Sequence, residues 1–206
     1  PYMEDRTTSI VVYSKNNTSL MKTIPIRQKA FVFTADAEQL HYKAISSTSQ
    51  TITISCSSGW DITSHEDWIS CSPEHLETGA FDQSMTISVK DNNTLEERHG
   101  TILLKSRIGG HEKAISVLQN PYIFTVDTDE IQFDAENAES VFVHVVCSGT
   151  YTWETSDPDW VKVEQSENGL SLSVENNTSA ETRVSYLDII SSGGHRKRIT
   201  IHQNAS

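Results

Sequence analysis

The sequence predicts an all-β protein built as tandem sandwiches, and three observations carry that prediction. Apolar residues alternate with polar ones at period two. Clusters of turn residues separate the alternating runs. One long pattern recurs at a spacing of about 90 residues, near the roughly 100 residues of one sandwich domain. Period two gives a strand one buried and one wet face, as in an antiparallel sheet.

The alternation is clearest in Thr51-Ile52-Thr53-Ile54, Met85-Thr86-Ile87-Ser88-Val89 and Leu170-Ser171-Leu172-Ser173-Val174. Turn residues at Ser58-Gly59, Asn92-Asn93, Gly109-Gly110, Asn168-Gly169, Asn176-Asn177 and Gly193-Gly194 bound the runs. No stretch has the 3.6-residue period of an amphipathic helix. By phase, the core of one unit takes Ile52, Ile54, Cys56, Met85, Ile87, Val89, Ile102, Leu104, Ile115 and Val117. The next takes Val143, Val145, Cys147, Leu170, Leu172, Val174, Leu187, Ile189, Ile199 and Ile201.

The repeat runs as follows. A strand ends in Cys56 or Cys147, and Trp60 or Trp153 comes shortly after. Then comes Asp67-Trp68-Ile69-Ser70 or Asp159-Trp160-Val161-Lys162. An alternating strand and an Asn-Asn-Thr turn lead to Arg98 or Arg183. A further strand and then Ile115-Ser116-Val117 or Ile199-Thr200-Ile201 close on Gln119 or Gln203. Arg6, Ile24-Pro25-Ile26 and Gln28 repeat only this last part. The spacing exceeds the ~20–50 residues of solenoid repeats, so each period is expected to be a whole immunoglobulin-like domain. Residues 31–120 and 121–206 are the expected full units, and residues 1–30 the last two strands of a preceding one. Pro25 lacks a backbone donor and falls on the outward phase, which predicts an edge strand.

Composition narrows the function classes. There are 16 basic and 28 acidic residues and a net charge of −12. An acidic surface repels phosphate backbones, which argues against nucleic acid. The run Arg196-Lys197-Arg198 reads as the solvated face of a strand. No run approaches the ~20 apolar residues of a membrane helix, so a membrane is expected only through an anchor outside this chain. The start, Pro1-Tyr2-Met3-Glu4-Asp5, lacks the basic and apolar regions of a signal peptide, and the chain reads as a piece of a longer protein. Three cysteines form no zinc spacing, and neither metal nor cofactor is expected. A Cys56–Cys71 disulfide stays open, since both fall on the apolar phase. None of the eight histidines sits in a catalytic motif, and no enzyme is expected.

In this order, the Cys, Trp, Asp-Trp, Asn-Asn-Thr, Arg and terminal Gln residues resemble the BACON domain. That module is associated with Bacteroidetes and is named for suspected carbohydrate binding, often at N-termini. The resemblance covers nearly the whole chain. It implies an immunoglobulin-like fold in a secreted or outer-membrane surface protein, often attached to polysaccharide-degrading enzymes or glycan-binding lipoproteins. It leaves open a polysaccharide or oligosaccharide binder, a rigid spacer between neighbouring domains, an adhesion module, and the accessory region of a glycoside hydrolase.

Aromatic rings stack on sugars, so Tyr151, Trp153 and Trp60 are the candidate glycan contacts. The competing reading puts recurring aromatics in the core, and Trp68 and Trp160 are assigned packing roles on that ground. The recurring Gln28, Gln119 and Gln203 share phase with core residues. A buried amide must be hydrogen-bonded, so each is expected to tie its last strand to a neighbouring loop. Arg6, Arg98 and Arg183 are assigned structural roles beside them.

Overall fold

The computed structural model describes residues 2–77 and 81–206, and every regular element among them is a strand. The chain opens with β1 (Arg6–Ser14) and β2 (Asn17–Gln28), which pair antiparallel as a separate two-stranded sheet.

The next nine strands are β3 (Phe33–Ala35), β4 (Gln39–Tyr42), β5 (Gln50–Cys56), β6 (Trp60–Ser64), β7 (Ile69–Ser72), β8 (His75–Leu76), β9 (Asp82–Val89), β10 (Arg98–Ser106) and β11 (Glu112–Gln119). They form two sheets of order β4-β11-β10-β6-β8 and β3-β5-β9-β7. The last eight are β12 (Phe124–Val126), β13 (Glu130–Phe133), β14 (Val141–Cys147), β15 (Tyr151–Thr155), β16 (Val161–Ser166), β17 (Gly169–Val174), β18 (Arg183–Ser191) and β19 (Arg196–Gln203). Their sheets run β13-β19-β18-β15 and β12-β14-β17-β16. β13 lies parallel to β19, while β18 and β19 are antiparallel. Each pair of sheets encloses one core, which makes two immunoglobulin-like sandwiches.

The chain divides into two compact units. One holds Pro1–Tyr42, Thr48–Lys90 and His99–Leu118; the other holds Lys43–Ser47, Asp91–Arg98 and Gln119–Ser206. The loops 43–47 and 91–98 group with Gln119 in the second unit. Gln119 Nε2 donates to the Lys43 and Ala44 carbonyls, and Asn92 Nδ2 donates to the Asn120 carbonyl.

Alternation decided the cores. Ile54, Met85, Ile87, Ile102, Leu104 and Ile115 are fully buried in the first sandwich; Val143, Leu170, Leu172, Leu187, Ile189, Ile199 and Ile201 are fully buried in the second. Val89, Cys147 and Val174 are only half-buried, because each ends its strand at the rim of the sheet. Tyr42, absent from the pattern, is also buried. Its hydroxyl donates to the Ile87 carbonyl at 2.9 Å, and burial pushes its pKa up to about 12.

Cys56, Cys71 and Cys147 are all free thiols. Cys56 is on β5 and Cys71 on β7, and β9 lies between them. Two strand spacings come to about 9–10 Å, beyond the reach of a disulfide. Burial raises the Cys71 thiol to about 11, so it behaves as a small apolar side chain. Gly59 is required where it stands, since a Cβ there would lie 1.6 Å from the Glu77 carbonyl oxygen.

Candidate functional site

The residues that recur in sequence converge at the end of each sandwich's last strand. In the second sandwich Arg183 opposes Gln203 across β18 and β19. Arg183 Nε donates to Gln203 Oε1 at 2.8 Å, and Gln203 Nε2 donates to the carbonyls of Asp134, Ala135 and Glu175. Arg183 Nη2 donates to the Glu175 carbonyl, and its guanidinium covers the Trp160 ring at 4.2 Å. In the first sandwich Arg98 Nε donates to Gln119 Oε1 at 2.9 Å, and Gln119 binds Lys43 and Ala44 as above. Gln119 and Gln203 are both 0% exposed. In each knot the buried amide both accepts from the Arg and donates to loop carbonyls of its own module. On the hairpin, Arg6 also donates to Gln28, but there both side chains are exposed.

Sequence reasoning read the Asn-Asn-Thr segments only as turns. The structure gives one Asn of each a larger role. Asn92 Nδ2 donates to Glu96 and Asn120, and Asn177 Nδ2 donates to Glu181 and Asn204. Both are buried, so each clamps the loop before β10 or β18 to the residue after the terminal Gln. Recurrence at the same place as the Arg and Gln was the available signal.

The aromatic candidates separate. Trp60 is 0% exposed in the first core and is withdrawn as a sugar contact, because a stacking ring must offer a face to solvent. Its indole N–H has no acceptor among the described residues. Tyr151 and Trp153 both point inward from the edge strand β15, half-buried against the second core. Their ring centroids lie 6.4 Å apart at 50°, and the Tyr151 hydroxyl donates to the Gly169 carbonyl at 3.3 Å. Burial raises the Tyr151 pKa, with Cys147 adding to it. Trp68 and Trp160 are half-buried beside the buried Ile69 and Val161 and pack against the two cores. The half-exposed Phe142 on the outer face of β14 was not singled out in the sequence; its ring lies 6.4 Å from that of His144.

The basic run at 196–198 is not a uniformly solvated face. Asp188, nearly buried on β18, accepts from Arg196 Nη2 at 2.5 Å and from Arg198 Nε and Nη2 at 2.9 and 2.7 Å. These hydrogen bonds, from Arg198 first and then Arg196, hold the Asp188 carboxyl well below the usual carboxylate range. A depressed folded-state pKa stabilises the fold above the unfolded value of about 4 and loses that stabilisation as pH falls toward the folded value. Asp188→Asn is therefore expected to destabilise the protein at pH 7. Urea unfolding at stepped pH should show the gap to the parent shrinking below about pH 4. A gap that does not change with pH would remove the charge from the explanation.

Among the described residues, no group of three or more His, Cys, Asp or Glu side chains could hold a metal ion. Among those residues no helix is long and apolar enough to cross a membrane.

Two family models match the chain, one in each sandwich. Residues 58–120 match the BACON family model, described as "Putative binding domain, N-terminal", and residues 124–206 match a second model, "Viral BACON domain". A search of curated proteins finds no match. Among solved structures, a Bacteroides ovatus GH5 xyloglucanase in complex with a heptasaccharide is 25% identical. The match covers 55% of this chain and 23% of the xyloglucanase, at a TM-score of 0.39. An endo-fucoidan hydrolase of glycoside hydrolase family 107 is 11% identical over 98% of this chain and 34% of that one, at 0.37. The titin domains z1z2 in complex with telethonin are 11% identical over 86% and 97%, at 0.43. The chain thus spans about a quarter and a third of the two hydrolases. With one model on each sandwich, the chain carries two BACON-family domains in tandem and belongs to that family.

Proposed function

We propose that this chain is a run of structural BACON modules, 31–120 and 121–206, that spaces and presents other parts of a longer extracellular or cell-surface protein. The observation that carries this reading is the use of the recurring residues. Gln119, Gln203, Arg98, Arg183, Asn92 and Asn177 bond within their own modules, and Trp60, Trp68 and Trp160 pack against the cores. What repeats from module to module is therefore what holds a module together. The surface location rests on the family resemblance; protease shaving of intact cells or particles that present the parent protein tests it, and protection of this region there counts against it.

One observation favours a second reading, carbohydrate contact in the second module. Tyr151 and Trp153 are half-buried rather than fully buried and lie on an edge strand, where a sugar can approach from the side. A glycan array, with calorimetry on any hit, separates the two. The spacer reading expects no binding to soluble plant, host or microbial glycans. Binding that Trp153→Ala abolishes, in a protein with unchanged circular dichroism, replaces it with the sugar reading.

A further inference from the structure

The β1–β2 hairpin has the architecture of a sandwich's last two strands but not their burial. Its register is Arg6↔Gln28, Thr8↔Ile26, Ile10↔Ile24 and Val12↔Lys22. That of β18–β19 is Arg183↔Gln203, Ser185↔Ile201, Leu187↔Ile199 and Ile189↔Lys197. The two ladders superpose residue for residue, and both begin with an Arg that donates to the terminal Gln. In the second sandwich Ser185, Leu187, Ile189, Ile199 and Ile201 are all 0% exposed. At the corresponding hairpin positions, Ile10 and Val12 are 51% exposed, Ile24 46% and Ile26 40%.

Three features of the hairpin are left without their counterparts. The inner face carries four exposed aliphatic side chains. The outer edge of β19 is paired by β13 and that of β18 by β15, whereas β1 and β2 form a sheet of two. The Gln203 amide donates to three loop carbonyls, while Gln28 is exposed. A lone two-stranded sheet is marginally stable in water, and an apolar face of this kind marks an interaction surface.

We infer that residues 6–28 are the closing hairpin of a third BACON-like module. Its other strands lie in the polypeptide directly preceding Tyr2 and cover the face formed by Ile10, Val12, Ile24 and Ile26. The occupant follows from the matching register. It is a segment with the strand order of β12 to β17, ending in a loop that leads into Arg6 as 175–182 leads into Arg183. It places one strand parallel to β2, as β13 lies against β19, and one antiparallel to β1, as β15 lies against β18. Pro25 adjusts the first of these contacts. Its equivalents Ser116 and Thr200 donate their backbone N–H to Glu38 and Asp129, and proline has no N–H to donate. The parallel strand there pairs through its remaining positions. This inference does not depend on whether the modules bind sugar.

Hydrogen exchange on the natural polypeptide, compared with residues 1–206 alone, tests it. In the natural polypeptide, peptides spanning 6–28 are expected to exchange as slowly as those of β18 and β19. In the 206-residue chain they should exchange at least about a hundredfold faster. Ile10→Asp with Ile24→Asp in the natural polypeptide should strip protection from the preceding segment and leave 31–206 protected. Thr7→Asp, on the outer face, should leave both regions protected. Fast exchange of 6–28 in the natural polypeptide, or no sandwich strands encoded before Tyr2, would overturn the inference. So would concentration-dependent protection in the 206-residue chain equal to that in the natural polypeptide, since a second copy would then be the cover.

Discussion

Gln203→Ala is expected to lower the stability of the second sandwich by about 3 kcal/mol, the sum of lost buried hydrogen bonds and a small cavity. Gln203 is completely buried; it accepts from Arg183, and its Nε2, with two N–H bonds, lies within hydrogen-bond distance of three carbonyls, one hydrogen being shared. Not every partner is orphaned by its removal. The Glu175 carbonyl keeps Arg183 Nη2, and the Ala135 carbonyl keeps the Asn177 amide. The Asp134 carbonyl and Arg183 Nε lose the partner they have here, which limits the loss to a few kcal/mol. For a domain of this size, 3 kcal/mol corresponds to a fall in Tm of roughly 12–24 °C. Gln203→Met separates the two contributions because it keeps volume and removes the bonds. Thermal unfolding followed by circular dichroism measures both. A Met variant as stable as the parent would mean that packing alone fixes the last strand and that the knot contributes nothing.

Trp60→Ala should cost the first sandwich about 3–5 kcal/mol, the usual loss for a buried large aromatic. Native domains have about 5–15 kcal/mol in total, so this change brings the first sandwich close to unfolding. Trp60 starts β6, pairs with Ser106 on β10 and Leu76 on β8, and contributes one of the largest side chains in the core. Because its indole N–H has no acceptor among the described residues, Trp60→Phe gives up volume but no hydrogen bond. It should cost clearly less than the alanine change. Denaturant titration of the parent and both variants gives the ranking. A Trp60→Ala protein of parental stability would contradict its burial and return Trp60 to the glycan-contact candidates.

These effects come from residues whose roles were legible to different degrees. The recurrence of Arg, Gln and Asn marked positions that matter but not their partners. Asp134, Ala135 and Glu175 lie 28–69 residues from Gln203 and join it through backbone carbonyls, which carry no side-chain signature. Alternation separated the two faces of a strand but did not rank aromatics. Trp60 and Trp153 occupy matching places in the repeat, yet one is fully buried and the other half-exposed. Trp60 lies on β6, inside its sheet between β10 and β8, whereas Trp153 lies on the edge strand β15. The pairing of Asp188 with Arg196 and Arg198 was similarly hidden, because cross-strand neighbours depend on the register between β18 and β19.

The sequence by itself determined the alternating strands, the sandwich class, much of the core faces and the threefold recurrence. Each of these depends on local phase and spacing along one chain. Only the tertiary structure decided that the cysteines stay free, that Trp60 is unavailable to a sugar, and that the Arg, Gln and Asn of each module close one knot. It also decided that the first hairpin shares the β18–β19 register while its apolar face stands open. All of these depend on which strands become neighbours across a sheet or between sheets, and no local pattern encodes that.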